Sequence, residues 1–304
     1  MDVLLRVIPF FLMIGVGIVA ARTRIISMDG ARALSAYVFW IAFPALLIHS
    51  LSAMPRPDAA LGSSLAAYAL GAAAPLFVAV LLGRLLRWPK EQRAGAGMAS
   101  VGGNTAFLGA PVAINLFGAA AAIPAAAVVA VDCTIIMAIA TFTLRGAAGE
   151  GWKKTLATTA GNPLVIAALI GLALCMAGYV PVGPVNDALG FLRGTASPVG
   201  LVALGVVVGL EFGKPDKADV APVATSVIFK LLLAPALVWF LTGAVGADPM
   251  FRAVATLLAA CPTAVNVFIQ TRTYGVFSRG GAMAVVLATV VAAVSLPLIG
   301  AALG

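Results

Sequence analysis

The chain has 304 residues, of which 62% are hydrophobic and only 10% charged, whereas an average soluble domain has about 45–50% apolar and about 25% charged residues. This composition and the mean hydropathy of +1.10 exclude a soluble globular protein and indicate an integral membrane protein. The net charge of +8 does not indicate nucleic-acid binding, because the basic residues are scattered between apolar segments, and the three cysteines show neither disulfide nor zinc-site spacing.

Ten apolar segments follow one another along the chain, and each approaches the roughly 20 residues that a membrane-spanning helix needs. They fill nearly the whole length, so we predict one all-α integral membrane unit. The first segment continues into the repeat described below and has no basic leader, so we interpret it as a span and not as a signal peptide. The predicted spans are 3–21, 31–52, 60–86, 92–117, 119–144, 158–179, 186–211, 220–246, 249–274 and 279–303.

Prolines recur at matched positions of the two halves of the chain, 154 to 160 residues apart. The matched pairs are Pro9 and Pro163, Pro44 and Pro198, and Pro75 and Pro235. We therefore predict an internal repeat of five spans, 1–144 and 158–304, joined by a cytoplasmic linker at 145–157. Because five is odd, the second unit enters the membrane from the opposite side, as in the inverted repeats of many secondary transporters.

The loop charges test this topology independently. Fourteen of the 19 lysines and arginines lie in loops that follow odd-numbered spans, four lie on the other side, and Lys230 lies within span 8. Because positively charged loops remain in the cytoplasm, we predict that the odd loops are cytoplasmic and that both termini are external.

Glycine and polar residues interrupt the fourth span. In the stretch 97–111, two glycines precede Asn104 and Thr105, and the apolar pattern then resumes. Gly103 and the glycine before it let the helix unwind at low cost, and a helix restarted near Asn104 would direct unpaired N–H groups at an anion. We predict Gly103, Asn104 and Thr105 as substrate-binding residues. The alternative is a glycine-rich packing kink with Asn104 as an ordinary N-cap.

A proline interrupts the ninth span. Pro262 lacks a backbone N–H and suits the first turn of a restarted helix, which would turn Thr263 and Asn266 towards the break. Alone, this pattern also fits a proline kink whose free carbonyl accepts from a neighbouring hydroxyl. Asn104 and Pro262 are, however, 158 residues apart, at matching places in the repeat, and non-helical backbone at membrane depth needs buried partners or a polar cavity. We therefore predict that Pro262, Thr263 and Asn266 complete one substrate site with the first break.

Two charged residues lie well inside apolar spans. Asp132 is in the middle of span 5, where a charge costs at least about 2.5 kcal/mol, so it must be protonated, hydrated or paired. We predict that Asp132 carries a proton or cation, with a structural hydrogen-bonding role as the alternative. Lys230 could snorkel, pair with an acid or meet an anion, and we favour the structural roles.

Two motifs of the chain resemble the auxin efflux carrier family in its bacterial branch, which includes transporters of malonate and related organic acids. They are GGNTAFLGAPVAINLFG at 102–118 and ACPTAVNVFIQTRTYG at 260–275, supported by IAFPALLIHSLS at 41–52. The resemblance covers the full chain. It implies ten transmembrane helices as two inverted five-helix repeats, two crossed broken helices, and a fold similar to bile-acid sodium symporters and sodium/proton antiporters.

The same resemblance implies a scaffold domain and a transport domain that moves like an elevator. The scaffold would contain spans 3–52 and 158–211, and the transport domain would contain spans 92–144 and 249–303 with 60–86 and 220–246. A small organic anion as substrate, a bacterial inner membrane with both termini periplasmic, and a homodimer are further implications. The long cytoplasmic loop of plant auxin carriers is absent from this sequence, which argues against auxin as the substrate.

We therefore predict a secondary active transporter of a small carboxylate or dicarboxylate, coupled to a proton in preference to sodium. Its partners would be the anion and the lipid bilayer but not nucleic acid, and it would need no cofactor or metal. The sequence has no nucleotide-binding, intramembrane-protease, prenyl-diphosphate or serine-hydrolase motif, so we do not predict an enzyme. An anion sensor or regulatory subunit, an uncoupled facilitator and a channel remain as alternatives.

Overall fold

The computed structural model describes residues 2–54, 56, 59–149, 151, 153, 157, 161, 163–211 and 217–304. Within these residues every regular element is a helix, which confirms the predicted all-α class. The helices are α1 Asp2–Arg22, α2 Met28–Ser52, α3 Ala59–Leu85, α4 Lys90–Val101, α5 Thr105–Phe117, α6 Ala119–Ala147, α7 Pro163–Ala177, α8 Gly183–Glu211, α9 Lys217–Ala244, α10 Pro249–Ala259, α11 Val265–Thr273 and α12 Ser278–Leu303. Much of the predicted linker 145–157 lies outside the described residues.

Six of these helices are long and apolar enough to cross a membrane, namely α2, α3, α6, α8, α9 and α12. Four shorter apolar stretches accompany them: Ile8–Arg22, Thr105–Phe117, Pro163–Ala177 and Pro249–Ala259. Large hydrophobic side chains such as Phe77, Phe191 and Val294 are exposed on the outside of the helices, where a soluble protein rarely tolerates so much contiguous apolar surface. The chain is a multi-pass membrane protein.

Both predicted breaks are present. The predicted span 92–117 consists of α4 and α5, which are separated by three residues, and the predicted span 249–274 consists of α10 and α11, which are separated by five. Helix α10 begins with an N-cap, because the Asp248 carboxylate accepts hydrogen bonds from the backbone N–H groups of Met250 and Phe251 at 2.9 and 3.1 Å. Pro249 occupies the first turn of that helix, where its missing N–H costs nothing.

Short π-helical turns widen four of the described helices. They are Val38–Ala42 in α2, Thr105–Gly109 in α5, Asp132–Ile136 in α6 and Phe229–Leu233 in α9. Pro44, Pro111 and Pro235 each follow such a turn by two residues, and a wider turn relieves the clash between a proline ring and the carbonyl of the preceding turn. No proline follows the turn at Asp132. This turn therefore has another cause, and π-turns inside α-helices are frequent at functional sites.

The helices pack as two sets of neighbours. In the first set, α1 lies against α8, and α2 lies against α7 and α8. In the second set, α3 contacts α4 and α9, α4 contacts α6 and α9, and α12 contacts α9 and α11. The π-turns that contain Asp132 and Lys230 belong to α6 and α9, two helices of the second set. The π-turn that contains Thr105 belongs to α5.

Glycines allow α1 and α8 to approach each other closely. A Cβ atom at Gly205 would overlap the carbonyl oxygen of Ile14, and one at Gly17 would overlap the carbonyl oxygen of Val202. Since lipid supplies no hydrophobic force between helices, such backbone contact is a main source of their association. The glycines here are therefore structural.

Replacing Gly205 by valine should destabilise the protein by about 1–3 kcal/mol, because the added atoms force α1 and α8 apart. We expect the midpoint of thermal unfolding in detergent to fall by about 2–5 °C. Gly194→Val is the matched control, because Gly194 lies in the same helix with no atom near the position of a Cβ. Equal midpoints for the two variants would contradict the proposed close contact.

Candidate functional site

The two breaks meet in the interior and satisfy each other's backbone. The Asn104 N–H donates to the Pro262 carbonyl at 2.7 Å, and the Ala264 N–H donates to the Gly102 carbonyl at 2.8 Å. Gly103 and Thr263 thereby form an isolated antiparallel bridge. Because groups freed from a helix at membrane depth must find partners, the two breaks are one structural unit.

Pro262 and Thr263 lie in this junction and are not among the residues that line the large cavity described below. The Thr263 hydroxyl is fully buried and donates to the carbonyl of Ala99 at 3.0 Å. This carbonyl belongs to the last turn of α4, where helical partners are missing. Pro262 and Thr263 thus stabilise the junction through these two hydrogen bonds, one accepted by the Pro262 carbonyl and one donated by the Thr263 hydroxyl.

A cavity of about 610 Å³ lies in front of the junction. Gly103, Asn104, Thr105, Asp132 and Asn266 all line it, so the structure brings five of the seven predicted site residues to one space. An aromatic wall faces them, formed by Phe39, Trp40, Phe43 and Phe107. A pocket of this size with an apolar wall and a few convergent polar groups has the usual anatomy of a small-molecule site.

Asn104 presents an unused hydrogen-bonding group. Its side chain is buried, and its Oδ1 atom has no hydrogen-bond partner in the described part of the chain. Its backbone carbonyl accepts from the N–H groups of Leu108 and Gly109 at 3.2 and 3.1 Å, which starts the π-turn of α5. A buried polar atom without a partner costs about 1–3 kcal/mol, so a hydrogen-bond donor in the cavity, such as water or a protonated acid, would relieve that cost.

Asp132 is buried and held by two hydroxyl groups. The Tyr68 hydroxyl donates to its carboxylate at 2.6 Å, and the Thr105 hydroxyl donates a further hydrogen bond. Tyr68 comes from the middle of α3 and is almost completely buried. The carboxylate therefore connects α3, α5 and α6 at the deep end of the cavity.

Lys230 lies on the other side of the junction and is also buried. Its Nζ donates to the carbonyl of Ala259, the last residue of α10. A Cβ atom at Gly103 would come within 2.9 Å of Lys230 Cε, so the glycine leaves room for the lysine. Lys230 also interacts electrostatically with Asp132. The hydrogen bond to a carbonyl at the end of α10 supports the structural role favoured from the sequence.

Comparison with known proteins identifies the family. The chain matches the family described as "Membrane transport protein" over residues 2–156 and 152–300. The chain belongs to this family of membrane transport proteins. The resemblance to auxin efflux carriers is thereby confirmed. A relative from Rhizobium meliloti (strain 1021), named "Putative malonate transporter", is 27% identical over 298 residues, which cover 93% of this chain and 90% of the relative.

Among the cavity-lining residues of this membrane transport protein that were not predicted are Gln270 and Tyr274. Gln270 accepts from the Thr141 hydroxyl at 2.7 Å, and the Tyr274 hydroxyl accepts from Arg145 Nε and Nη2 at 2.8 and 2.6 Å. They follow Asn266 at intervals of four residues, so Gln270 shares one face of α11 with Asn266, and Tyr274 continues that face from the C-cap position after Thr273. That spacing is the signal that could have identified them from the sequence.

Arg145 lies within the last turns of α6 and not in a loop. The helix continues to Ala147, and the guanidinium group is buried over the Tyr274 ring, with its carbon 4.8 Å from the ring centre. The sequence placed this residue at the start of the linker because its charge ends an apolar segment. Its aromatic partner lies 129 residues away and could not be inferred locally.

Proposed function

We propose that this membrane transport protein is a secondary active transporter of a small carboxylate or dicarboxylate. The observation that carries the proposal is the junction of two broken helices beside one cavity, which brings two helix starts and the Asn104 amide to the same space. Helices α5 and α11 both begin beside this junction. Their first N–H groups and positive dipole ends favour a negatively charged ligand.

Malonate is the first substrate to test. The relative from Rhizobium meliloti carries malonate in its printed name, and a three-carbon dicarboxylate fits easily in a cavity of about 610 Å³. The remaining volume would hold water, which the polar lining can bind. The proposal covers small carboxylates as a class, with malonate as the probe.

The proposed architecture is ten spans in two inverted five-helix repeats, with α4–α5 and α10–α11 as the two crossed helices. The six long helices and four shorter apolar stretches support this count. The packing of α1, α2, α7 and α8 against one another supports a scaffold, and the second set of neighbours supports a transport domain. We propose that the second set carries the anion across the membrane by an elevator-like displacement, as part of a homodimer.

We propose that the protein lies in the bacterial inner membrane with both termini periplasmic. Arg32, Arg145 and Arg272 all lie on the side that the positive-inside rule assigns to the cytoplasm. Arg32 and Tyr274, the partner of Arg145, line the cavity at this end. In this arrangement the cavity opens towards the cytoplasm.

Asp132 is the proposed coupling residue, with a proton as the ion in preference to sodium. A carboxylate inside a membrane protein that lines a water-accessible cavity is typical of proton relays. Tyr68 and Thr105 hold the Asp132 carboxylate beside the helix start that would bind the anion. Protonation would thus change the charge next to the substrate, which links the two binding events.

Counterflow in proteoliposomes tests the proposed function. Vesicles loaded with unlabelled malonate should transiently concentrate labelled malonate from outside, because a carrier exchanges one for the other. A sensor or regulatory subunit would bind the label without accumulating it, and a channel would only equilibrate it. Failure of counterflow with every small carboxylate tested would exclude the proposed transporter.

A further inference from the structure

A second, smaller cavity of about 230 Å³ adjoins the large one. Both are lined by Arg32, Ser35, Ile269 and Thr273, so they share a wall between the start of α2 and the end of α11. Arg272, in the last turn of α11, also lines the smaller cavity. The entrance region therefore carries two guanidinium groups.

Arg32 is the one basic side chain among the described residues that line the large cavity. It lies near the start of α2, and its side chain is 53% exposed. Its guanidinium donates to the carboxylate of Asp29, one turn earlier, at 2.7 Å. Asp29 is itself 85% exposed, so solvent weakens this pair and an incoming anion can compete with it.

Arg32 is far from the junction of the broken helices. The cavity-lining residues of α2 run along one face from Arg32 to Phe43, which is eleven residues or about 16 Å at 1.5 Å per residue. The Phe43 ring packs on Phe107, with the ring centres 4.3 Å apart, next to Thr105 and Asn104. A small dicarboxylate at the junction therefore lies towards the Phe43 end of this face, and Arg32 lies towards the other end.

We propose that Arg32 is an electrostatic capture residue, which attracts the carboxylate to the entrance and releases it inward, while Asp29 holds the guanidinium when no anion is present. This inference rests on the proposed function. An exposed charge acts over about 10 Å at 0.1 M salt, and charged clefts raise the rate of association with ligands of opposite charge. Such a residue increases kcat/KM and leaves the later movement of the loaded carrier unchanged.

Initial rates of malonate uptake test this role in proteoliposomes where the cytoplasmic face of the protein points outward, so that external malonate enters past Arg32. They are measured at about 20 and about 200 mM salt. We expect Arg32→Gln to lower kcat/KM about fivefold at low salt, to leave kcat within about twofold, and to flatten the salt dependence. Arg32→Lys should keep most of the wild-type rate, because the charge is retained. Asp29→Asn should raise kcat/KM about twofold, because it frees Arg32.

Arg22→Gln is the matched control, because Arg22 is an exposed arginine at the same end of the protein that lines neither cavity. It should leave kcat/KM unchanged. Acetate uptake should respond less than malonate uptake to Arg32→Gln, because acetate carries one charge. If wild-type protein takes up malonate and Arg32→Gln keeps both its kcat/KM and its salt dependence, the capture role is wrong. If wild-type protein takes up no carboxylate, the proposed function itself fails, and this inference with it.

Discussion

Asp132→Asn should abolish the accumulation of malonate that a pH gradient drives, and should leave malonate counterflow intact. The amide keeps the size of the carboxylate and still accepts the hydrogen bond from Tyr68, so we expect the variant to fold. It cannot take up and release a proton. A gradient of one pH unit stores about 1.4 kcal/mol per proton, which can support about tenfold accumulation at zero membrane potential. In the variant, the ratio of internal to external malonate should therefore fall to about one.

The measurement uses proteoliposomes whose membrane potential is clamped, with protein-free vesicles to subtract passive diffusion of the acid. Asp187→Asn is the matched control, because Asp187 is an exposed carboxylate near the start of α8 that lines neither of the two cavities. It should accumulate malonate like the wild type. Full gradient-driven accumulation by Asp132→Asn would contradict the coupling role. Loss of both accumulation and counterflow would instead make Asp132 a residue required for binding or movement of the anion.

Asn104→Ala should weaken malonate binding about ten- to hundredfold without destabilising the protein. The Asn104 amide can bond a carboxylate only through its N–H groups, because Oδ1 is an acceptor. A hydrogen bond to a charged group contributes about 1.5–3 kcal/mol, which corresponds to that range of affinity. The stability should be unchanged or slightly higher, because alanine removes a buried oxygen that has no protein partner. The affinity for malonate should thus fall while the stability of the protein does not, as expected for a side chain that binds the ligand.

Isothermal titration with malonate and thermal unfolding of the same samples measure both quantities. Asn115→Ala is the matched control, because Asn115 lies in α5, the helix that begins directly after Asn104, is exposed, and does not line the cavity. It should bind malonate with wild-type affinity. A large drop in the unfolding temperature of Asn104→Ala with unchanged affinity would make Asn104 a structural cap and contradict its place in the site.

The breaks could be predicted because their cause is local. Two glycines before Asn104 and the missing N–H of Pro262 weaken the helix wherever these segments lie. The long apolar runs, likewise, fix where helices can span a bilayer. The sequence could not show that Pro262 and Thr263 lie in the contact between the two breaks and not in the lining of the large cavity, because that depends on how one break docks on the other.

The partners of the buried charges could not be predicted. Tyr68 is one tyrosine within an apolar span, and only the packing of α3 against α6 brings it to Asp132, 64 residues later. Lys230 similarly finds the free carbonyl of Ala259 across a helix contact. Local sequence patterns do not show contacts between residues that are distant in the sequence. They do indicate that an intramembrane charge needs a partner, and each of the two charges has one.

The π-turns were also missed, although part of their signal is in the sequence. Pro44, Pro111 and Pro235 predict local strain in three helices, but the direction in which a helix widens depends on its neighbours. The turn at Asp132 has no such marker. At this turn the carboxylate contacts Tyr68 and Thr105, which lie far away in the sequence, so the element closest to the proposed chemistry was the least predictable.

The position of a bound anion tests the central claim most directly. Bromomalonate carries an anomalous scatterer, so crystals of the protein grown with it would locate the ligand by its bromine signal. The account predicts one strong peak at the deep end of the cavity, between Asn104 and Asn266 and beside the starts of α5 and α11. A peak elsewhere, with the junction empty, would contradict the claim that the two broken helices form the substrate site.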